Sequence, residues 1–175
     1  MENTFNNIEF INGNILDSED DMICHQVNCN GVMGAGLAKQ IANKFKKVFY
    51  DYQSKCSKFA FNKNALLGTC DFIECKSNNG NKLIITNLYG QKNANANVRQ
   101  TNYEFLYQSL EKMFNYLNEQ SILYNRPYNV GIPYKLGCGL AGGNWHIVYA
   151  MIESFAINYP NISIKIYKYE DSNIY

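Results

Sequence analysis

Polar and apolar positions first alternate at Ile8-Glu9-Phe10-Ile11-Asn12 and stop at Gly13, which predicts a short strand. Met22 to Val27 is a mostly apolar run of strand length and predicts a second, buried one. From Leu37 to Tyr52 the residues Leu37, Ile41, Phe45, Val48, Phe49 and Tyr52 recur at three- and four-residue steps, the pattern of one helix with one buried face. Leu66 to Cys75 and Lys82 to Leu88 predict two strands joined by Ser77-Asn78-Asn79-Gly80, where Asn-Gly supplies the positive φ of a tight hairpin. Thr101-Asn102-Tyr103-Glu104 has the spacing of a capping box, and Leu106, Leu110, Met113, Phe114 and Leu117 mark the face of the helix it opens. Tyr128 to Pro133 predicts another buried strand. Trp145, Val148, Ile152 and Phe155 predict a helix capped by Asn144, and Ile162 to Tyr167 an alternating last strand.

The order of strand, strand, helix, hairpin, helix, strand, helix, strand belongs to the α/β class, with a mixed sheet covered by helices on both faces. No repeat or linker interrupts it, so residues 1–175 read as one domain. In such a sheet ligands bind beyond the carboxyl ends of central strands. Two glycine loops fall there. The first follows His25-Gln26-Val27-Asn28-Cys29-Asn30 and runs from Gly31 through Met33-Gly34-Ala35-Gly36 into a helix. The second is Gly137-Cys138-Gly139-Leu140-Ala141-Gly142-Gly143, again between an apolar strand and a helix. A strand-loop-helix turn presents free backbone N–H groups and a helix N-terminus to an anion, and two such loops point to a diphosphate. The first contains neither G-x-x-x-x-G-K-[ST] nor G-x-G-x-x-G, so it is neither a P-loop nor a dinucleotide fingerprint.

Charge narrows the partners. Sixteen Lys and Arg against fifteen Asp and Glu give +1 net, with no general attraction to nucleic acid or an anionic membrane. The basic run Lys44-Phe45-Lys46-Lys47 reads as the solvent side of an amphipathic helix. Six cysteines without a C-x-x-C pair read as free thiols, and the lack of a leader or a membrane-length apolar run reads as cytoplasmic.

The polar residues near the loops are the candidate chemistry. Asn28 and Asn30, at a strand end, have donor and acceptor together for sugar hydroxyls. His25 has two readings: a buried, hydrogen-bonded core histidine, or a cleft group that moves a proton or orients water. Cys138 reads as a backbone donor and small packing residue. No His, Cys or Asp stands at ligand spacing from His25, so no metal site is expected. Asn93 to Gln100 is polar and Asn/Ala-rich, a loop that could serve as a lid.

Together these residues resemble the macrodomain family of ADP-ribose-binding modules, over nearly the whole chain from Ile8 to Tyr169. The resemblance rests on Gly13-Asn14-Ile15, on Asn28-Cys29-Asn30 through Met33-Gly34-Ala35-Gly36, and on Pro133 through Gly137-Cys138-Gly139-Leu140. Within the family the chain is most similar to the ADP-ribose 1″-phosphate phosphatases of the yeast type, through His25 leading into Asn28-Cys29-Asn30-Gly31 and through Asn87-Leu88-Tyr89-Gly90-Gln91. The resemblance implies a three-layer α/β/α macrodomain. It also implies a monomeric hydrolase without cofactor or metal that takes phosphate from ADP-ribose 1″-phosphate, with His25, Asn28 and Asn30 as the catalytic set. By the same resemblance Asn14 and Ile15 hold adenine, although most members carry Asp where Asn14 stands. Asn28 and Asn30 hold the distal ribose; Met33, Gly34, Ala35 and Gly36 with Leu136, Gly137, Cys138, Gly139, Leu140 and Ala141 hold the diphosphate. Tyr167 or Tyr169 lies against the adenine. The related glycohydrolases that work through a lysine nucleophile and an aspartate carry them where this chain has Asn87 and Ala141, which argues against a lysyl intermediate. The alternatives are a reader that binds free or protein-linked ADP-ribose without turnover, and an ADP-ribosyl hydrolase that uses positioned water.

Overall fold

A computed structural model describes residues 7–94 and 97–169. Its strands are β1 (Ile8–Asn12), β2 (Met22–Gln26), β3 (Cys70–Lys76), β4 (Lys82–Leu88), β5 (Tyr128–Pro133) and β6 (Ile162–Lys168). Its α-helices are α1 (Gly36–Lys44), α2 (Lys46–Lys58), α3 (Tyr103–Leu123) and α4 (Trp145–Asn158). The strands form one mixed sheet in the order β1-β6-β5-β2-β4-β3, parallel throughout except for the antiparallel β3–β4 pair. The hairpin closes where expected, with Gly80 at φ 81° and its N–H donating to the Ser77 carbonyl at 3.0 Å.

Two apolar clusters sandwich the sheet, one under each helical layer. Met22, Cys24, Val130, Ile132, Ile164 and Ile166 face α3 and α4, while Ile23, Val27, Leu83 and Ile85 face α1 and α2. Alternating side chains of one strand thus enter both cores, which is why β2 reads as a continuous apolar run. His25 follows Ile23 onto the α1/α2 face, and Gln26 follows Cys24 onto the other.

Three boundaries differ from the sequence reading. The expected helix over 37–52 is two helices, broken at Phe45 (φ −119°, ψ 77°), whose ring turns into the α1/α2 core. Lys44, at the break, donates to the Leu16 carbonyl at 2.6 Å rather than pointing into solvent. The strand expected from Leu66 begins only at Cys70, because Lys63–Leu66 is a 3-10 turn and Gly68 has φ 73°. Helix α3 is capped by Asn102, which accepts from the Phe105 N–H at 3.2 Å, because the Thr101 hydroxyl is committed to the Gly137 carbonyl at 2.6 Å. Asn144 caps α4 as expected.

Candidate functional site

The carboxyl ends of β2 and β5 open on a cleft of about 470 Å³. From the β2 side it is lined by His25, Asn28, Met33, Gly34, Ala35 and Gly36, and from the β5 side by Leu136, Gly137, Gly139, Leu140 and Ala141. Gly34, Ala35 and Gly36 are exposed. Helix α1 starts without a side-chain cap and without an acidic residue in its first turn. Among the described residues no acceptor meets the N–H groups of Gly34, Ala35, Gly36, Leu37 and Ala38. On the facing loop the N–H groups of Gly137, Gly139, Leu140 and Ala141 are likewise free. Lys135 is the one charged residue on the described lining, and no carboxylate stands there. A concavity of this kind, with two sets of unpaired backbone donors, takes an anion.

Two glycines make that geometry. Gly36 begins α1 at φ 55°, and a Cβ built on it would meet nothing within 4 Å, so any side chain there would project into open cleft. Gly137 has φ 67°, and a Cβ on it would lie 2.7 Å from Gln26 Oε1. The positive φ favours glycine here, and a side chain would also push the Gln26 amide out of its place between this loop and β2. Gln26 secures it further: its Nε2 donates to Gln91 Oε1 at 2.7 Å and to Thr101 Oγ1 at 2.9 Å. The Ala141 carbonyl also accepts from the Gln100 and Thr101 N–H groups at 2.9 and 3.1 Å.

His25 is 2% exposed in the inner wall. Its Nε2 lies 2.7 Å from Oδ1 of Asn87, the residue beside it in the β2–β4 register. Oδ1 only accepts, so Nε2 carries the proton and Nδ1 holds the free lone pair. Neither Nδ1 nor the Asn87 amide nitrogen has a partner among the described residues. Burial pushes the imidazole down to about 4, the Asn87 bond opposing, so His25 is neutral near pH 7.

Other expected residues are used differently. Asn28 is buried, and its amide organises the loop: Oδ1 accepts from the Asn30 N–H at 2.9 Å and the Tyr52 hydroxyl at 2.7 Å, while Nδ2 donates to the Val32 carbonyl at 2.8 Å. A buried amide must be satisfied, and these bonds make the side chain hold the loop at the place where it lines the cleft. Asn30 is not on the cleft lining; it faces a second depression, where Lys63 Nζ donates to its Oδ1 at 2.7 Å. Asn14 caps a 3-10 turn by accepting from the Leu16 N–H at 3.0 Å, and Ile15 is buried in the core. The Tyr167 hydroxyl donates to Asp20 Oδ2 at 2.7 Å, while Lys165 Nζ donates to the other oxygen at 2.6 Å. That network ties Tyr167 down because Asp20, 1% exposed, needs both partners. Tyr169 is 58% exposed. Cys138 is off the described lining, its Sγ directed at the Leu136 carbonyl at 3.2 Å, and burial raises the thiol.

Comparison with known proteins follows this geometry. No family model matches the chain. The macrodomain of Mycobacterium tuberculosis DarG superposes with a TM-score of 0.72 at 21% identity, over 91% of this chain and 96% of that one. The fold is that of the macrodomains. Thermosipho africanus DarTG, solved in complex with ADP-ribose, is similar at TM-score 0.70 and 19% identity, over 97% of this chain and 43% of that one. In sequence, the ADP-ribose 1″-phosphate phosphatase of Saccharomyces cerevisiae is 36% identical over 74 residues, 41% of this chain. That of Candida glabrata is 39% identical over 69 residues, 38% of this chain. The chain spans about two fifths of the length of these curated relatives.

The cleft also holds residues the sequence did not single out. Tyr134 lines it, 36% exposed, with its ring edge-on to Trp145 at 5.0 Å. Lys135 follows at φ 60°, an uncommon conformation for a side-chain-bearing residue. Gln26 carried a signal, as the polar residue ending the face of β2 that begins with Met22 and Cys24. Lys135 carried none. Among the described residues no three His, Cys, Asp or Glu side chains gather as a metal site, and no helix is long and apolar enough to cross a membrane.

Proposed function

We propose that the cleft binds ADP-ribose through its diphosphate and that the protein hydrolyses ADP-ribose 1″-phosphate to ADP-ribose and inorganic phosphate. The reading is carried by one observation: two facing loops offer unpaired N–H donors to a cleft lined by no carboxylate. The partial likeness to curated phosphatases supports the substrate. In this reading water attacks phosphorus, the bond to the 1″ oxygen breaks, and the leaving oxygen ends protonated. His25 accepts the proton of the attacking water at Nδ1, the nitrogen left free by Asn87. The loops hold the diphosphate and so fix the distal ribose for attack. The reaction does not proceed through a lysyl intermediate, because Asn87 and Ala141 supply neither nucleophile nor acid.

The near-complete burial of His25 favours a second reading, a module that binds ADP-ribose without turnover. Phosphate release from ADP-ribose 1″-phosphate, measured beside calorimetric binding of ADP-ribose, separates the two. Release that depends on His25 supports the phosphatase. Binding without release leaves the reader, and neither binding nor release removes both.

A further inference from the structure

The first glycine loop is shaped from outside the cleft. Tyr52 lies on α2, fully buried in the α1/α2 core and absent from the cleft lining. Its hydroxyl oxygen stands 2.8 Å from the Asn28 carbonyl, 2.7 Å from Asn28 Oδ1 and 3.2 Å from the Val32 nitrogen. One hydroxyl proton is shared by the two Asn28 acceptors, and the oxygen accepts the Val32 N–H. Asn28 closes the circle, since its Nδ2 donates to the Val32 carbonyl at 2.8 Å. Exchanging the two ends of the Asn28 amide would place a nitrogen against the Asn30 N–H and an oxygen against the Val32 carbonyl, so the arrangement has one sense.

Val32 is thereby held at both its N–H and its carbonyl, two residues before Gly34. The free N–H groups from Gly34 to Ala38 start from that clamped point. Phenol burial raises the Tyr52 pKa, so the hydroxyl keeps its proton throughout the working pH range.

We propose that Tyr52 is a positioning residue for diphosphate recognition: its hydroxyl pins Asn28 and Val32 so that the N–H donors of the first loop converge on the anion. This rests on the reading that the cleft binds ADP-ribose. Preorganised donors lose affinity when their supporting bonds go, even though no ligand contact is removed. A role in core packing alone would lower the melting temperature and leave ligand selectivity untouched.

The test is Tyr52→Phe, which removes one oxygen and keeps the buried ring. With folding confirmed by circular dichroism, calorimetry should show ADP-ribose affinity at least tenfold weaker and adenosine affinity, which needs no diphosphate cradle, within twofold of wild type. ADP-ribose bound as tightly as by wild type, or both ligands weakened alike, would overturn the assignment. Hydrogen exchange on the unsubstituted protein gives a reading that needs no variant. The Val32 amide should be protected without ligand, and the Gly34 to Leu37 amides should become protected only when ADP-ribose is added. Rapid exchange at Val32 would also overturn the proposal. Failure of wild type to bind ADP-ribose would instead remove the functional reading, and Val32 protection would still report whether the Tyr52 clamp exists.

Discussion

His25 and Asn87 sit side by side on parallel strands, Nε2 2.7 Å from Oδ1, and among the described residues neither His25 Nδ1 nor Asn87 Nδ2, both buried, has a partner. Leaving such groups unmet costs on the order of 1–3 kcal/mol each, and a fold retains that cost readily where the group has work to do. If Nδ1 takes the proton of the attacking water, His25→Ala should lower phosphate release about 10²–10⁴-fold and change ADP-ribose affinity less than about twofold. Parallel assays of release and calorimetry check this. Full activity in the variant would return His25 to the role of a core histidine.

The same burial has a consequence for stability. His25 has a pKa of about 4 in the folded chain against an ordinary 6.5. The unfolded chain therefore binds a proton between those values that the folded chain does not, and stability falls as pH falls through that window. By pH 4 the loss should reach about 3 kcal/mol, at roughly 1.4 kcal/mol per unit. Urea denaturation of wild type and His25→Gln from pH 7.5 to 4 should show the difference between them changing by that amount. Parallel curves would mean that His25 titrates normally.

Gly36 offers the cleanest test of the cradle, because a Cβ added there lies in open space, with nothing within 4 Å. Its φ of 55° makes any replacement cost about 1–2 kcal/mol. Gly36→Ala should pay only that backbone cost and keep measurable ADP-ribose binding, whereas Gly36→Glu should remain folded and bind at least a hundredfold more weakly, its carboxylate standing among the free N–H groups. A folded Gly36→Glu that binds like wild type would place the diphosphate elsewhere.

The layers and most of the cleft were legible because they depend on local pattern. Apolar and alternating runs located the six strands, period-3.6 runs located the helical stretches but not the break between α1 and α2, and the glycines at 34, 36, 137 and 139 marked where the chain leaves regular structure. What was illegible depended on distant partners. Nothing near Asn28 announces that Tyr52, 24 residues on, occupies its amide. Nothing near Tyr167 announces Asp20, which comes 147 residues earlier and lies opposite Gly131. Thr101 has the sequence of a cap and loses that role to the Gly137 carbonyl. Phe45 fits the helical period and still breaks the helix, since its burial in the core requires the bend.

That commitment of Tyr167 leads us to propose Tyr169 as the aromatic that meets the adenine. Tyr167 is fixed through its hydroxyl to Asp20, whereas Tyr169, one alternation further along the chain, is exposed. Tyr169→Ala should therefore weaken ADP-ribose binding by about 1–3 kcal/mol, the range for a base stacked on an aromatic ring. Tyr167→Phe should leave affinity unchanged and lower the melting temperature, because Asp20 keeps only Lys165. Trp145 supplies the readout. It is the single tryptophan of the chain, its ring lies 5.0 Å from that of Tyr134, and Tyr134 lines the cleft. Ligand entering beside Tyr134 should change Trp145 emission, so one fluorescence titration reports affinity in all three proteins. Equal affinity for wild type and Tyr169→Ala, with weaker binding in Tyr167→Phe, would mean that the Asp20 network serves the ligand and that the adenine lies over Tyr167 after all.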